Sequence, residues 1–380
     1  MRILLFGEYS NVHHTLCEAL RRAGHEVLLI SDGDGWKDYP RDIDLRRRQP
    51  GPIGSLRYLA KLVTLLPKLR GFDVVQLINP VFIDVKARWN RLLFDYLRRH
   101  NRMVSVGCFG DDTYVIRRMQ DPACFEYSDL QVFGHPIVHE TNHRRISNWL
   151  HPDKVRLTEY VMAKADCLIA CLYEYYKVYD LPEFRSKLHY VALPVSLKSK
   201  AVHLPPDNGK TKVLFAVQKS RGQMKGTDQL EPLFDRLAAE YPGQIELTKI
   251  TSVPFNEYQR LVAVSDVVID QLYSYTPAMA ALESLSQGKV VISGYEHDYA
   301  RFLGEEETGE TGIVNLRPQE AEANYAKLVQ VLTDISVIRR LQLSALAFVR
   351  KHHDADQVAA DYLSVWSSAS GVGVVSSSSR

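Results

Sequence analysis

The chain opens with RILLFGEYSNVHHTLCEALRRAGHEVLLIS (residues 2–31): an apolar β-rich run, a polar turn holding one glycine, an amphipathic stretch, and a second apolar run. Strand, helix, strand in that order is the repeating unit of a doubly wound α/β fold, because two parallel strands need a helix-length crossover between them. The same alternation continues with strands read at 73–79 (DVVQLIN), 102–109 (RMVSVGCF), 166–171 (DCLIAC) and 188–195 (LHYVALPV). Helices are read around 54–70, 82–100 and 155–165. A polar, proline-bearing stretch, SLKSKAVHLPPDNGKT (196–211), then breaks the pattern without apolar periodicity of its own. Beyond it the alternation restarts with KVLFAVQ (212–218), IELTKI (245–250), DVVIDQL (266–272), KVVISG (289–294) and GIVNL (312–316). Two such sheets in tandem predict a cleft. Open α/β sheets take ligands beyond the carboxyl ends of their strands, so functional residues are sought just after these runs.

At 380 residues and 46% hydrophobic content, the chain can bury two cores. With 47 basic against 45 acidic residues it has no polyelectrolyte character, which argues against nucleic acid as a partner. The halves differ: residues 1–198 carry 29 Lys and Arg against 23 Asp and Glu, and residues 199–380 carry 18 against 22. The first half is therefore the one expected to meet an anionic surface. Cys17, Cys108, Cys124, Cys167 and Cys171 form no CxxC pair and are odd in number, which fits a reduced cytoplasmic protein. The opening strand is too short for a signal h-region, and no apolar run is long enough to span a bilayer. The Ser, Gly and Val tail 367–380 is expected to be disordered.

After KVLFAVQ comes KSRGQMKGTDQLEPLFDRL (219–237), a basic, glycine-containing loop opening a helix near Thr227. Backbone N–H groups, a helix N-terminus and the cations Lys219, Arg221 and Lys225 at one point suit a diphosphate; the alternative is a solvated basic loop. In DVVIDQLYSYTPAMAALESLSQGKVVISG (266–294) a helix expected from about Pro277 carries Glu283 inside an apolar stretch. Such a carboxylate can accept hydrogen bonds from the two vicinal hydroxyls of a ribose, or simply face solvent. In the first half, Gly7 in GEYSNVHH permits close backbone approach, but one glycine is no GxGxxG fingerprint, which disfavours a dinucleotide-dependent dehydrogenase. In GDDTYV, Asp111 and Asp112 either orient an acceptor hydroxyl, or Asp111 caps the following helix. They are contiguous and do not form a DxD metal site. His135, His139 and His143 recur every four residues, which would stack them on one helical face. With no cysteine or carboxylate in register, polar surface or acceptor-side histidines are expected there, and no metal. Finally, RDIDLRRRQPGPIGSLRYLAKLVTLLPKLRG (41–71) joins an arginine run to a helix with Leu56, Leu59, Leu62, Val63 and Leu66 on one side and Arg57, Lys61 and Lys68 elsewhere. This suits a helix on an anionic membrane, or a core-facing helix with a solvated basic face.

The spacing from a basic loop ending in Lys-Gly, through DVVIDQL, to ALESLSQGKVVISG resembles the donor-binding half of family-four retaining glycosyltransferases of the GT-B fold. The stretch 317–363 is similar to that family's C-terminal helices, 2–31 to its opening strand, loop and helix, and EYVMAKADCLIACLYEYY (159–176) to its helix and strand before the linker. The resemblance implies an acceptor-side Rossmann-like domain at 1–197, a linker at 198–210 and a nucleotide-sugar domain at 211–345. A helix at 346–366 would cross back to the first domain. It implies that Lys225 and one of Lys219 or Arg221 neutralise a donor diphosphate beside Gly226, that Glu283 holds the nucleotide ribose, and that the backbone of Thr276, Pro277 and Ala278 faces the phosphates. Gly7, Glu8, Asn11, His14, Asp111 and Asp112 would line the acceptor side, with Asp111 and Lys225 closest to the chemistry. Basic residues and helix dipoles take the place of metal, and no cofactor is implied. The family's two glutamates stand eight residues apart, yet the first position here is Tyr275.

The expectation is thus a cytoplasmic glycosyltransferase, peripheral at the inner face of the membrane. It would move a sugar from a nucleoside-diphosphate sugar to a glycan or lipid-linked acceptor in polysaccharide biosynthesis. A catalytically idle GT-B subunit and a nucleotide-sugar epimerase on the same fold are the alternatives.

Overall fold

In the computed structural model the described residues are 1–197, 209–217, 222–305 and 310–370, the side chains of Trp36 and Phe255 excepted. They fall into two compact units. The first comprises Met1–Ile116, Ile146–Pro194 and the chain from Ala355 onward; the second comprises Arg117–Arg145 and Val195–Asp354.

The chain begins β1 (Arg2–Phe6), α1 (Val12–Arg22), β2 (Glu26–Ser31), β3 (Ile43–Asp44) and α2 (Gly51–Leu65). It continues with β4 (Val74–Leu77), α3 (Ala87–His100), β5 (Val104–Cys108) and α4 (Thr113–Met119). A two-stranded antiparallel ladder, β6 (Gln131–Val132) and β7 (His135–Pro136), precedes α5 (Glu140–Trp149) and α6 (Pro152–Lys164). Then come β8 (Cys167–Ala170), α7 (Tyr173–Tyr179) and β9 (Leu188–Tyr190). The first unit's sheet is parallel throughout, in the order β3-β2-β1-β4-β5-β8-β9. Its central strands β4, β5 and β8 are buried at every residue, which is why, apart from Gln76 and Ser105, they read as apolar runs and do not alternate with charged residues.

The strand order reverses at β1, which pairs with both β2 and β4. Gly7 ends β1 at φ 93°, and a Cβ there would stand 2.1 Å from Ile78 Cγ2. The space its missing side chain leaves is thus filled by the neighbouring strand's end. Behind α2, Gly54, Tyr58, Leu62 and Leu65 are buried, while Leu56 and Val63 are exposed and Leu59 and Leu66 are half-buried. The single apolar side read from the sequence is thereby corrected: the core takes Tyr58 and Leu65 in place of Leu56 and Val63. The last helix, α15 (Ala355–Ala369), packs on α1, where Arg22 and Asp356 form a 2.6 Å ion pair, and it buries Tyr362 and Trp366. It runs through Ala369, and residues from 371 on lie outside the described ones.

The second unit continues with β10 (Thr211–Val217), α8 (Gly222–Lys225), α9 (Thr227–Glu240), β11 (Ile245–Thr251) and α10 (Phe255–Val264). It is completed by β12 (Val267–Ile269), α11 (Met279–Leu285), β13 (Val290–Ile292), α12 (His297–Phe302), β14 (Ile313–Val314), α13 (Ala321–Leu332) and α14 (Ile335–His352). Its parallel sheet has the order β11-β10-β12-β13-β14, reversing at β10. Both sheets therefore have a switch point, where crossovers leave to opposite sides and open space beyond the strand ends.

Candidate functional site

At the switch point of the second sheet, Lys225 closes the short helix α8, and Gly226 follows it at φ 68°. A Cβ on Gly226 would meet Leu272 Cβ at 2.9 Å and the Tyr273 ring at 3.0 Å, so only glycine lets this turn lie on the segment after β12. The Leu272 N–H donates to the Lys225 carbonyl over 2.7 Å and fixes the same contact. Lys225 Nζ is 2.7 Å from Asp270 Oδ1, which directly follows β12, and Ser293 Oγ, which follows β13, donates to Asp270 Oδ2 over 3.3 Å. The Asp270 side chain is 5% exposed and that of Lys225 29%, so the pair is a cation held at the surface by a buried carboxylate.

Glu283 is half-buried on α11, and its carbonyl accepts from Ser286 Oγ and Gln287 Nε2. The Tyr258 phenol lies close to both Asp270 and Glu283 and bonds the Ser284 side chain. Burial first, then these two carboxylates, push it up to about 12. Tyr258 is thus the side chain within the field of both the Asp270 partner of Lys225 and Glu283. Thr276 and Pro277 are buried, and Ala278 precedes α11, which starts at Met279 and so two residues later than the sequence suggested. Lys219 and Arg221 lie outside the described residues. Sequence reasoning missed Asp270 because a carboxylate at a strand end carries no spacing signal of its own.

Tyr275, standing where the resembled family has its first glutamate, is buried. Its hydroxyl accepts the Glu126 N–H over 3.0 Å, and its ring stacks on Tyr127 at 4.9 Å and meets Phe125 edge-on at 5.4 Å. Tyr127 in turn donates to Glu296 Oε1 over 2.6 Å, and Asn315 Nδ2 donates to the same oxygen over 2.8 Å. A phenol suits this place because it offers an oxygen to the backbone and an apolar face to two rings; a carboxylate would be desolvated against them.

In the first unit, Glu8 is buried, and its two oxygens accept the N–H groups of His13 (3.2 Å) and His14 (2.8 Å) at the start of α1. Burial outweighs these bonds and pushes its carboxyl up to about 8. Ser10 and Asn11 are both left-handed, at φ 51° and 70°. The Ser10 N–H donates to Asp34 Oδ2, and Lys37 bridges Asp34 and Ser10 Oγ, an arrangement that holds this strained turn. The Asn11 side-chain oxygen is buried without a hydrogen-bond partner. His14 is half-buried, its imidazole pushed down by burial and bonded to the Pro40 backbone. His13 is wholly buried, with Nδ1 2.8 Å from the Gly7 carbonyl.

Asp112 is fully buried. Oδ1 accepts the N–H groups of Tyr114 and Val115, and Oδ2 accepts the Tyr179 hydroxyl over 2.7 Å. It is therefore Asp112, in place of Asp111, that caps α4, with both oxygens engaged inside the fold. Asp111 is half-buried in the field of Lys154, whose ammonium lies 4.1 Å over the Trp149 ring.

The expected stack of three histidines does not form: His135 lies in β7, His139 precedes α5, and only His143 is helical. Pro136 breaks the period. Among the described residues no group of three His, Cys, Asp or Glu is placed to hold a metal ion, and no helix is long and apolar enough to cross a membrane. All five cysteines are free and buried.

Comparison with solved structures gives this chain of two parallel α/β sheets the GT-B glycosyltransferase fold. Sucrose-phosphate synthase from Thermosynechococcus elongatus is similar over 97% of this chain and 99% of its own, with TM-score 0.59 and 14% identity. Anabaena HepE in complex with UDP and glucose is similar over 97% of this chain and 100% of its own, with TM-score 0.54 and 13% identity. WaaG, a glycosyltransferase involved in lipopolysaccharide biosynthesis, is similar over 96% and 99%, with TM-score 0.52 and 14% identity. At such identities the likeness is one of fold. No protein-family model matches the chain, and no curated protein matches it in sequence.

Proposed function

We propose that this chain is a retaining, metal-independent glycosyltransferase, family-four-like, taking a nucleoside-diphosphate sugar on its second unit and a glycan or lipid-linked acceptor hydroxyl on its first. The observation that carries this reading is the Lys225–Asp270 pair at the switch point of the second sheet, with Tyr258 in the field of both Asp270 and Glu283. Glu283 accepts the ribose hydroxyls. Lys225, held by Asp270, meets the diphosphate beside Gly226 and the backbone of Thr276–Ala278, and one of Lys219 or Arg221 adds a second cation. As the donor's glycosidic bond breaks, charge accumulates on the departing diphosphate, and a fixed cation stabilises it most at that moment. On the first unit, the unpartnered Asn11 oxygen is an acceptor for an incoming hydroxyl, and the half-buried Asp111 carboxylate lines the same side.

UDP is the first nucleotide to try, since HepE is described in complex with UDP and with UDP-glucose. Release of UDP from UDP-glucose, measured with and without EDTA, should be largely unchanged by the chelator. Complete loss restored by manganese rejects the metal-independent mechanism. Tyr275 in the glutamate position favours one other reading, a donor-binding but idle subunit, for which UDP binds and no sugar is transferred.

A further inference from the structure

We propose that the outer face of α2 docks on an anionic lipid bilayer. With Tyr58, Leu62 and Leu65 turned to the core, the residues left outside separate into two adjacent stripes. Ile53, Leu56 and Val63 are 68%, 70% and 63% exposed, and with the exposed Ala60 and Pro67 they recur at alternating intervals of three and four residues, a single apolar line along the helix and the turn after it. One helical step round, Arg57, Lys61, Thr64 and Lys68, all exposed, repeat the same intervals as a mainly basic line. Arg57 donates to the Gln49 side chain and Lys61 to the Asp44 carbonyl, and neither these two nor Lys68 pairs with a carboxylate among the described residues.

Charge complementarity selects the occupant. Residues 45–72 hold no Asp or Glu; of their cations Arg46, Arg47 and Arg48 pair with Asp38, Asp44 and Asp84 elsewhere in the chain, which leaves Arg57, Lys61, Lys68 and Arg70 without a carboxylate partner among the described residues. A protein groove would have to offset that charge with acidic side chains arrayed along a line, whereas an anionic bilayer does so everywhere along its plane. It also accepts shallow aliphatic side chains in the boundary between headgroups and acyl chains. The other large exposed apolar side chains, such as Leu92, Val264 and Leu343, are scattered over different elements, while α2 carries three within eleven residues. The proposal rests on this surface alone and is independent of the donor site.

Sedimentation of the full chain with phosphatidylcholine vesicles, with and without phosphatidylglycerol, tests it. Binding should need phosphatidylglycerol and fall as salt rises. It should be largely lost both in the Ile53→Ser, Leu56→Ser, Val63→Ser variant and in the Arg57→Glu, Lys61→Glu variant, all at exposed positions, with circular dichroism unchanged from the parent. A Leu56→Trp variant should show an emission blue shift only with the anionic vesicles. Equal, weak sedimentation with both vesicle types overturns the proposal. So does unaltered binding by the serine variant, or a dimer of the parent that the serine variant dissociates, which would assign the face to a second copy.

Discussion

Lys225→Ala is expected to lower turnover of a UDP-sugar by about 10²–10³-fold while weakening UDP binding much less. The Lys225 ammonium is compensated by Asp270 at 2.7 Å, so a bound diphosphate gains only part of its attraction. The leaving diphosphate gains more, because its charge grows while the lysine is already in place. The substitution therefore falls on kcat, with a smaller change in KM. It also strands the buried Asp270 carboxylate, so Asp270→Asn should be combined with it to separate lost catalysis from lost stability. If the double variant melts like the parent but remains inactive, the loss is catalytic. A kcat within a factor of a few of the parent's would remove Lys225 from the mechanism.

Tyr275→Ala should cost about 3–5 kcal/mol of unfolding free energy, the scale for deleting a buried aromatic ring. The ring is buried between Phe125 and Tyr127, and its removal opens a cavity under the segment that holds Tyr127 on Glu296. Tyr275→Phe keeps the stacking but leaves the Glu126 N–H without its acceptor, for about 1–3 kcal/mol. Denaturant unfolding of the three proteins should rank them parent, phenylalanine, alanine. An alanine variant as stable as the parent would show that the aromatic cluster does not explain the tyrosine.

That cluster marks one limit of the sequence. The strands were legible because parallel strands buried on both faces, such as Val267–Ile269 and Val290–Ile292, must be short, apolar and β-branched, and the polar stretch 196–211 interrupts them visibly. The grouping of Arg117–Arg145 with the second unit was not legible, since it rests on contacts such as Tyr127 with Tyr275 that lie far apart in the chain. The inward face of α2 was not legible either, because apolar residues occupy more than half of its circumference and periodicity alone cannot choose among them. At the candidate site, the Lys-Gly turn and Glu283 stood out by composition. Asp270 did not, because its meaning comes from the lysine that another loop brings to it. Asp112 reads in the sequence equally as an acceptor-side group, because a capping aspartate and a binding aspartate look alike until their hydrogen bonds are seen.

Whether the second unit holds a nucleotide by its ribose at Glu283 is tested most directly by calorimetry with UDP and with uridine on the parent and on Glu283→Ala. A carboxylate that accepts ribose hydroxyls makes charge-assisted hydrogen bonds. Its removal should weaken both ligands by on the order of 1.5–3 kcal/mol, tenfold or more in Kd, with circular dichroism unchanged. UDP bound as tightly by Glu283→Ala as by the parent, or not bound by the parent at all, would contradict the account.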